Sequence, residues 1–171
     1  MIAKLKKNSY DLGIKLGTIL FVVSALIYMY DLKFFYNGVQ SLACVPIMLG
    51  FGIYSIYKNK KLQNEIISFK ESFTAYFLCI VIGYFIASIG DLLIFKFIDP
   101  EAGKIINEEL MIQQKQMGEL LQQASEDISK QLDDMQKYPR FSYRNIFLNY
   151  MVVLVINAII GVFPALIFKK T

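Results

Sequence analysis

The chain has 171 residues, of which 56% are hydrophobic and only 19% charged, with a net charge of +4 and no histidine. A soluble domain carries nearer a quarter of its residues as charges, so the composition points to an integral membrane protein. The absence of histidine excludes imidazole metal sites, histidine-ligated haem and histidine acid–base catalysis.

Met1 to Asn8 carries Lys4, Lys6 and Lys7 ahead of a first span over residues 10–30. A cleaved secretory leader is rejected, because Val23-Ser24-Ala25 is the only small-residue cleavage candidate and it falls in mid-run. Asp11 and Lys15 lie one helical turn apart near the start of this span, where they can pair or reach toward water. Gly13 and Gly17 form a GxxxG step that allows close helix approach, a common pattern that does not name its partner.

Asp31 to Gly38 predicts a polar turn with aromatics at the membrane interface, followed by a second span over 39–57. Ser41-Leu42-Ala43-Cys44 has the look of a lipoprotein cleavage site, but a polar turn rather than an apolar signal core precedes it. Pro46 stands near the helix start, where it can bend the helix slightly. Ser41, Cys44, Met48, Gly52 and Ser55 recur at helical spacing and form the expected inner stripe. Cys44 and Cys79 both sit inside apolar runs and are read as small packing residues, not as a disulfide.

The third span, 72–98, is the centre of the expected architecture. Ser68 and Glu71 have the spacing of a capping box, and from Ser72 to Ile98 the only charges are Asp91 and Lys96. Ala75, Cys79, Gly83 and Ala87 recur every fourth residue, and the next step lands on Asp91. Small residues allow the backbone contact that drives helix association in lipid. Phe69, Phe73, Tyr76, Phe77, Ile80 and Tyr84 are assigned to lipid. At the far end Asp99 is expected to cap a new helix, with Pro100 at its first position.

Residues 99–139 are polar yet carry an apolar stripe at Ala102, Ile106, Leu110, Met117, Leu121, Ala124, Ile128, Leu132 and Met135. One unbroken helix from Pro100 to Lys137 would run roughly 55 Å at 1.5 Å per residue, too far to return to a neighbouring span. A helical hairpin turning at Gly118 is therefore expected, its apolar faces meeting each other or a partner. Tyr138-Pro139 ends the second arm, and Arg140, Phe141, Tyr143 and Arg144 read as an interfacial anchor.

The fourth span covers 145–168, with Asn145, Asn149, Val153, Asn157, Gly161 and Ala165 on one ladder and Pro164 bending its last turns. Antiparallel packing brings the level of Asp91 near Asn149, so a hydrogen bond between these two is expected, since a buried acid needs a partner.

The positive charges sort by side of the membrane, which removes nucleic acid as a partner. Nine lysines (4, 6, 7, 58, 60, 61, 70, 169 and 170) belong to the termini and the second turn, against Lys33 alone in the first turn. The positive-inside rule places both termini in the cytoplasm. The segment from 99 to 144, with six basic and nine acidic residues, then faces outward.

Taken together, Ser68-Phe69-x-Glu71-x-Phe73 before a span, Phe97-Ile98-Asp99-Pro100 after it, a Glu/Gln/Met-rich segment with a central glycine, and a final span ending in lysines resemble the bacterial domain of unknown function 4199 family. The resemblance runs over nearly the whole chain. It implies a small four-span inner-membrane protein with no assigned activity, and a polyprenyl-phosphate type glycosyltransferase as a partner. It transfers no catalytic residue.

The expected fold is thus all-α, a four-helix membrane bundle with a hairpin between spans three and four. The leading functional reading is an accessory or scaffold subunit, engaging a membrane protein through the hairpin or a membrane face, with self-association a further option. The alternative is a proton- or cation-coupled transporter subunit using Asp91. An enzyme is not expected: there is no GxSxG elbow, zinc motif or phosphate loop, a single deep acid allows no aspartyl dyad, and no cofactor is implied.

Overall fold

The computed structural model describes residues 2–170. Four long helices form a bundle: α1 (Ile2–Tyr30), α3 (Val39–Lys61), α4 (Phe69–Leu93) and α7 (Tyr143–Phe168). Each is long and apolar enough to cross a membrane. A short helix α2 (Lys33–Tyr36) joins α1 to α3, and α5 (Pro100–Leu120) and α6 (Ser125–Lys137) form the hairpin between α4 and α7. Both termini and the α3–α4 loop lie at one end of the bundle. Asn8 donates to Asn59 at 2.7 Å, and Ile67 and Lys170 exchange backbone hydrogen bonds at 3.0 and 3.2 Å. The hairpin occupies the opposite end.

The start of α4 follows directly from its sequence. The Ser68 hydroxyl accepts from the Glu71 amide at 3.3 Å, and the Glu71 carboxylate accepts from the Ser68 amide at 3.0 Å, which satisfies donors that a helix start would otherwise leave bare. The helix then runs through the middle of the bundle and touches α1, α3 and α7. Ala75, Cys79, Gly83 and Ala87 are all buried. The GxxxG of α1 finds its partner here: a Cβ on Gly13 would come within 2.9 Å of Ile82, and one on Gly17 within 2.6 Å of Ile86. Bare glycine faces let α1 and α4 approach so closely.

Because α4 is central, it has no full lipid face, and the assignment of Tyr76 and Ile80 to lipid is corrected. Both are fully buried. Tyr76 wedges between α3 and α7, where a Cβ on Gly161 would lie 2.6 Å from its ring and Gly52 abuts the other side. Its hydroxyl donates to the Asn157 side chain at 3.2 Å. Further toward the termini, Ser55 donates to the Ala75 carbonyl at 2.8 Å and Asn59 donates to the Ser9 hydroxyl at 2.8 Å. These buried polar groups hold α1, α3 and α4 together by satisfying one another.

The hairpin end is built differently. The last turn of α4, Ile94–Ile98, widens into a π-helical turn closed by the Asp99 amide on the Ile94 carbonyl at 2.7 Å. That turn aims Ile94 and Phe95 inward. Phe95 stacks on Phe141 with centroids 4.2 Å apart and meets the edge of Phe35 at 4.8 Å. Phe35 belongs to α2, so one of the aromatics expected at the membrane interface in this turn is instead buried in the cluster. Gly38, at φ +82°, then starts α3 in a conformation that other residues rarely adopt.

Asp99 caps α5 as the sequence suggests, accepting from the Ala102 amide at 3.0 Å, and also receives the Tyr28 hydroxyl of α1 at 2.8 Å. These bonds, the amide first, hold its carboxyl below the usual aspartate range. The hairpin reverses at 121–124, where Gln122 takes φ +54°, and not at Gly118. Gly118 instead lies in the last turn of α5, where a side chain would meet Ile128 of α6 at 2.8 Å. It is the point of close approach between the arms. The arms are consequently unequal, at 21 and 13 residues.

Candidate functional site: a cavity beneath the hairpin

Between Tyr76 and the hairpin a cavity of about 760 Å³ opens between α3 and α7. The Asn107, Leu110 and Gln114 side of α5 roofs it, together with Met135 of α6. From Asn145 to Asn157 on α7 it extends roughly 18 Å at 1.5 Å per residue. A cavity of that volume holds a molecule of many atoms rather than a bare ion.

The lining changes character along this length. Near Tyr76 it is made by Met48, Val152, Val153 and Ile156, together with Asn157, whose carbonyl is already engaged by Tyr76. Near the hairpin it mixes charged and polar groups with Leu110, Met117, Met135, Phe141 and Ile146. Among the described residues that line it, Asp91 is the only carboxylate and Arg140 the only cation.

Asp91 accepts a hydrogen bond from the Ser24 hydroxyl of α1, and Gln40 of α3 donates to the same Ser24 oxygen at 3.0 Å. The expected bond from Asn149 is therefore corrected. Asn149 donates to the Tyr84 hydroxyl at 2.7 Å, one helical turn or more below Asp91 on the same wall. The physical reason is register: Tyr76 meets Asn157 and Tyr84 meets Asn149 across the antiparallel α4–α7 pair, so Asn149 lies about two turns from the level of Asp91, where Ser24 of α1 reaches the carboxylate. Asp91 and Asn149 face one chamber, whereas Asn157 closes its floor.

Arg140 is held through its backbone. Its amide donates to the Asn107 side chain at 2.9 Å, and Asn107 in turn donates to the Met135 carbonyl at 3.4 Å. Asn145 donates to the Tyr138 carbonyl at 2.6 Å. The connection from α6 to α7 is thus fixed and directs the Arg140 side chain into the cavity wall. Among the described residues the ion pairs are Lys104–Glu101, Lys130–Glu126 and Arg144–Asp134; neither Asp91 nor Arg140 belongs to one. Burial pushes the Arg140 guanidinium down from its ordinary pKa, and the charge of Asp91 opposes that shift.

Sequence reasoning missed three of the groups at this site. Ser24 continues the buried series Leu12, Leu16 and Leu20 as its only hydroxyl, a signal present in the one-dimensional pattern. Gln40 offered no periodic cue, and Arg140, read as an interfacial anchor, lines the cavity instead. The two thiols are free, Cys44 on the cavity wall and Cys79 buried between α4 and α3. No group of three or more potential metal ligands occurs among the described residues.

Four apolar helices, a central helix gripped by the other three and a two-helix hairpin at one end define a multi-pass helical membrane protein. The model of the family described as a protein of unknown function (DUF4199) matches residues 11–170. The chain belongs to that family. No curated protein and no solved structure matches it.

Proposed function

We propose that this protein is an accessory subunit of the bacterial inner membrane, with both termini in the cytoplasm and the hairpin outside. On this reading the bundle is a mount, and the hairpin or an adjoining membrane face engages a larger membrane protein. The observation that carries the proposal is the tip of the hairpin. Leu120 and Leu121 are 77% and 62% exposed, and Met117 one turn before them and Ile112 further back along the same arm are also exposed, on an element that is otherwise strongly polar. Apolar groups clustered on a polar arm suit a protein contact. The orientation is supported by the nine lysines at the terminal end of the bundle.

The cavity presents one carboxylate and one guanidinium, and the Ser24 hydroxyl that donates to Asp91 is in turn held by Gln40; we read the arrangement as a binding site rather than a catalytic one. The partner suggested by family resemblance is a polyprenyl-phosphate type glycosyltransferase. Placing a photo-crosslinker at Gln123 or Leu120 in intact cells tests the reading. The expected result is one membrane-protein adduct formed at these tip positions, absent from Lys58 and lost in the Leu120→Asp, Leu121→Asp variant. Adducts formed equally at all positions, or none at the tip, would remove the proposal.

One observation favours the second reading, a cation- or proton-coupled transporter subunit: Asp91 is held by neutral donors and faces a chamber. Asp91→Asn keeps a hydrogen-bonding side chain and removes titration. If a deletion phenotype is fully rescued by this variant, ion coupling through Asp91 is eliminated.

A further inference from the structure

We propose that the cavity between α3 and α7 binds an amphiphile whose head carries both a phosphate and a primary amine, the phosphate on Arg140, the ammonium on Asp91 and the apolar tail toward Tyr76.

Three observations converge on this ligand. First, the two charged groups of the cavity, Asp91 and Arg140, lie in its hairpin half with Ser24 and Gln40, beside apolar Leu110 and Phe141, whereas Met48, Val152 and Ile156 line the end toward Tyr76, which carries no charge. Val45 on α3 and Leu148 and Val152 on α7 remain exposed, so the space opens sideways between two membrane helices. A ligand with one wet and one oily end can slide in from the bilayer. A small hydrophilic solute would leave the lower wall uncovered.

Second, the chamber presents one charge of each sign, and the two do not pair with each other within the 4.0 Å of an ion pair. Two opposite charges that face a partly enclosed space without an ion-pair partner favour a ligand that supplies both counter-charges. A simple anion would satisfy Arg140 while facing the repulsion of Asp91, and a simple cation would do the reverse. A zwitterion neutralises both at once.

Third, the partners differ in geometry in the way such a head requires. A guanidinium fork suits two phosphate oxygens. The Asp91 carboxylate keeps acceptor positions beyond the Ser24 bond. A primary ammonium offers three donors to these acceptors. A trimethylated amine offers none, so an ethanolamine head is favoured over a choline head.

Delipidated full-length protein in mild detergent, titrated with phosphatidylethanolamine, phosphatidylglycerol and phosphatidylcholine and read by native mass spectrometry, tests the inference. One phosphatidylethanolamine is expected to bind about tenfold more tightly than either other lipid, the ratio set by one charge-assisted hydrogen bond. Arg140→Gln and Asp91→Asn are each expected to lose a similar factor and to abolish the headgroup preference, whereas Lys58→Gln changes nothing. Arg140→Lys keeps the charge without the fork and is expected to fall between wild type and Arg140→Gln, which separates a headgroup contact from a folding defect. Val152→Trp, which narrows the side opening, is expected to weaken lipid binding. Free phosphoethanolamine is expected to compete poorly. Competition as strong as the lipid's own would transfer the site to a soluble ligand and overturn the amphiphile. Equal binding of the three lipids, or binding indifferent to both charge variants, would overturn the proposal entirely.

Discussion

At the terminal end of the bundle, α3 and α7 close on Tyr76, with Gly52 on one side and Gly161 on the other, and the Ser9, Ser55 and Asn59 side chains satisfy one another. At the hairpin end the same two helices stand apart, and two opposite charges face a cavity of about 760 Å³. The contrast shows what the small-residue ladder on α4 does. Where a bulky residue meets glycines on both flanks, the helices lock together. Where the ladder reaches Asp91, the partner comes from α1, through Ser24. Close small-residue packing occupies the terminal half, whereas the hairpin half combines the aromatic cluster around Phe95 with the cavity.

The strongest way to break this contrast is to remove its keystone. Tyr76→Ala is expected to destabilise the bundle by about 3–5 kcal/mol, the range for losing a large buried aromatic; reversible unfolding in detergent would measure it. Gly161→Val overfills the same notch and is expected to cost about 1–3 kcal/mol. Tyr76→Phe keeps the ring and loses only the bond to Asn157, for about 0.5–1.5 kcal/mol. Asp91→Asn, at the open end, is expected to change stability less than any of these, and a loss as large as that of Tyr76→Ala would mean that the hairpin end is as tightly determined as the terminal end.

The smallest effect concerns pH at the base of the hairpin. Asp99 has its carboxyl held below the ordinary range by the Ala102 amide and the Tyr28 hydroxyl. Its folded pKa is therefore lower than its unfolded one. The stabilisation it gives is complete above the unfolded value and is lost as pH falls through the folded value. Amide exchange at Ala102, corrected for the intrinsic rate, should lose protection over that acid window, and Asp99→Asn should flatten the pH response.

Much of this contrast could be read in one dimension, and the unread part has a common cause. The capping box at Ser68 and Glu71, the cap at Asp99, the ladder from Ala75 to Ala87 and the GxxxG of α1 are local or periodic signals, and each lies in the structure where its spacing suggests. Tyr76 was misassigned because a single helix pattern distinguishes small from large faces, not lipid from a second neighbour. The central position of α4 decides that. Gly118 shows a related ambiguity: a glycine can permit a turn or a close contact, and the bulk of Ile128 selects the contact. The pairing of Asp91 depended on how far α7 is shifted along α4, an offset set by the Tyr76–Asn157 and Tyr84–Asn149 contacts and not contained in either helix's own periodicity.

The two native cysteines provide the most direct test of an open half set against a closed one. Cys44 lines the cavity, whereas Cys79 is fully buried between α4 and α3. With delipidated protein in mild detergent and a small thiol reagent, followed by peptide mapping, Cys44 is expected to be modified while Cys79 stays protected until the bundle unfolds. Modification of both at the same rate, or of Cys79 first, would contradict the account.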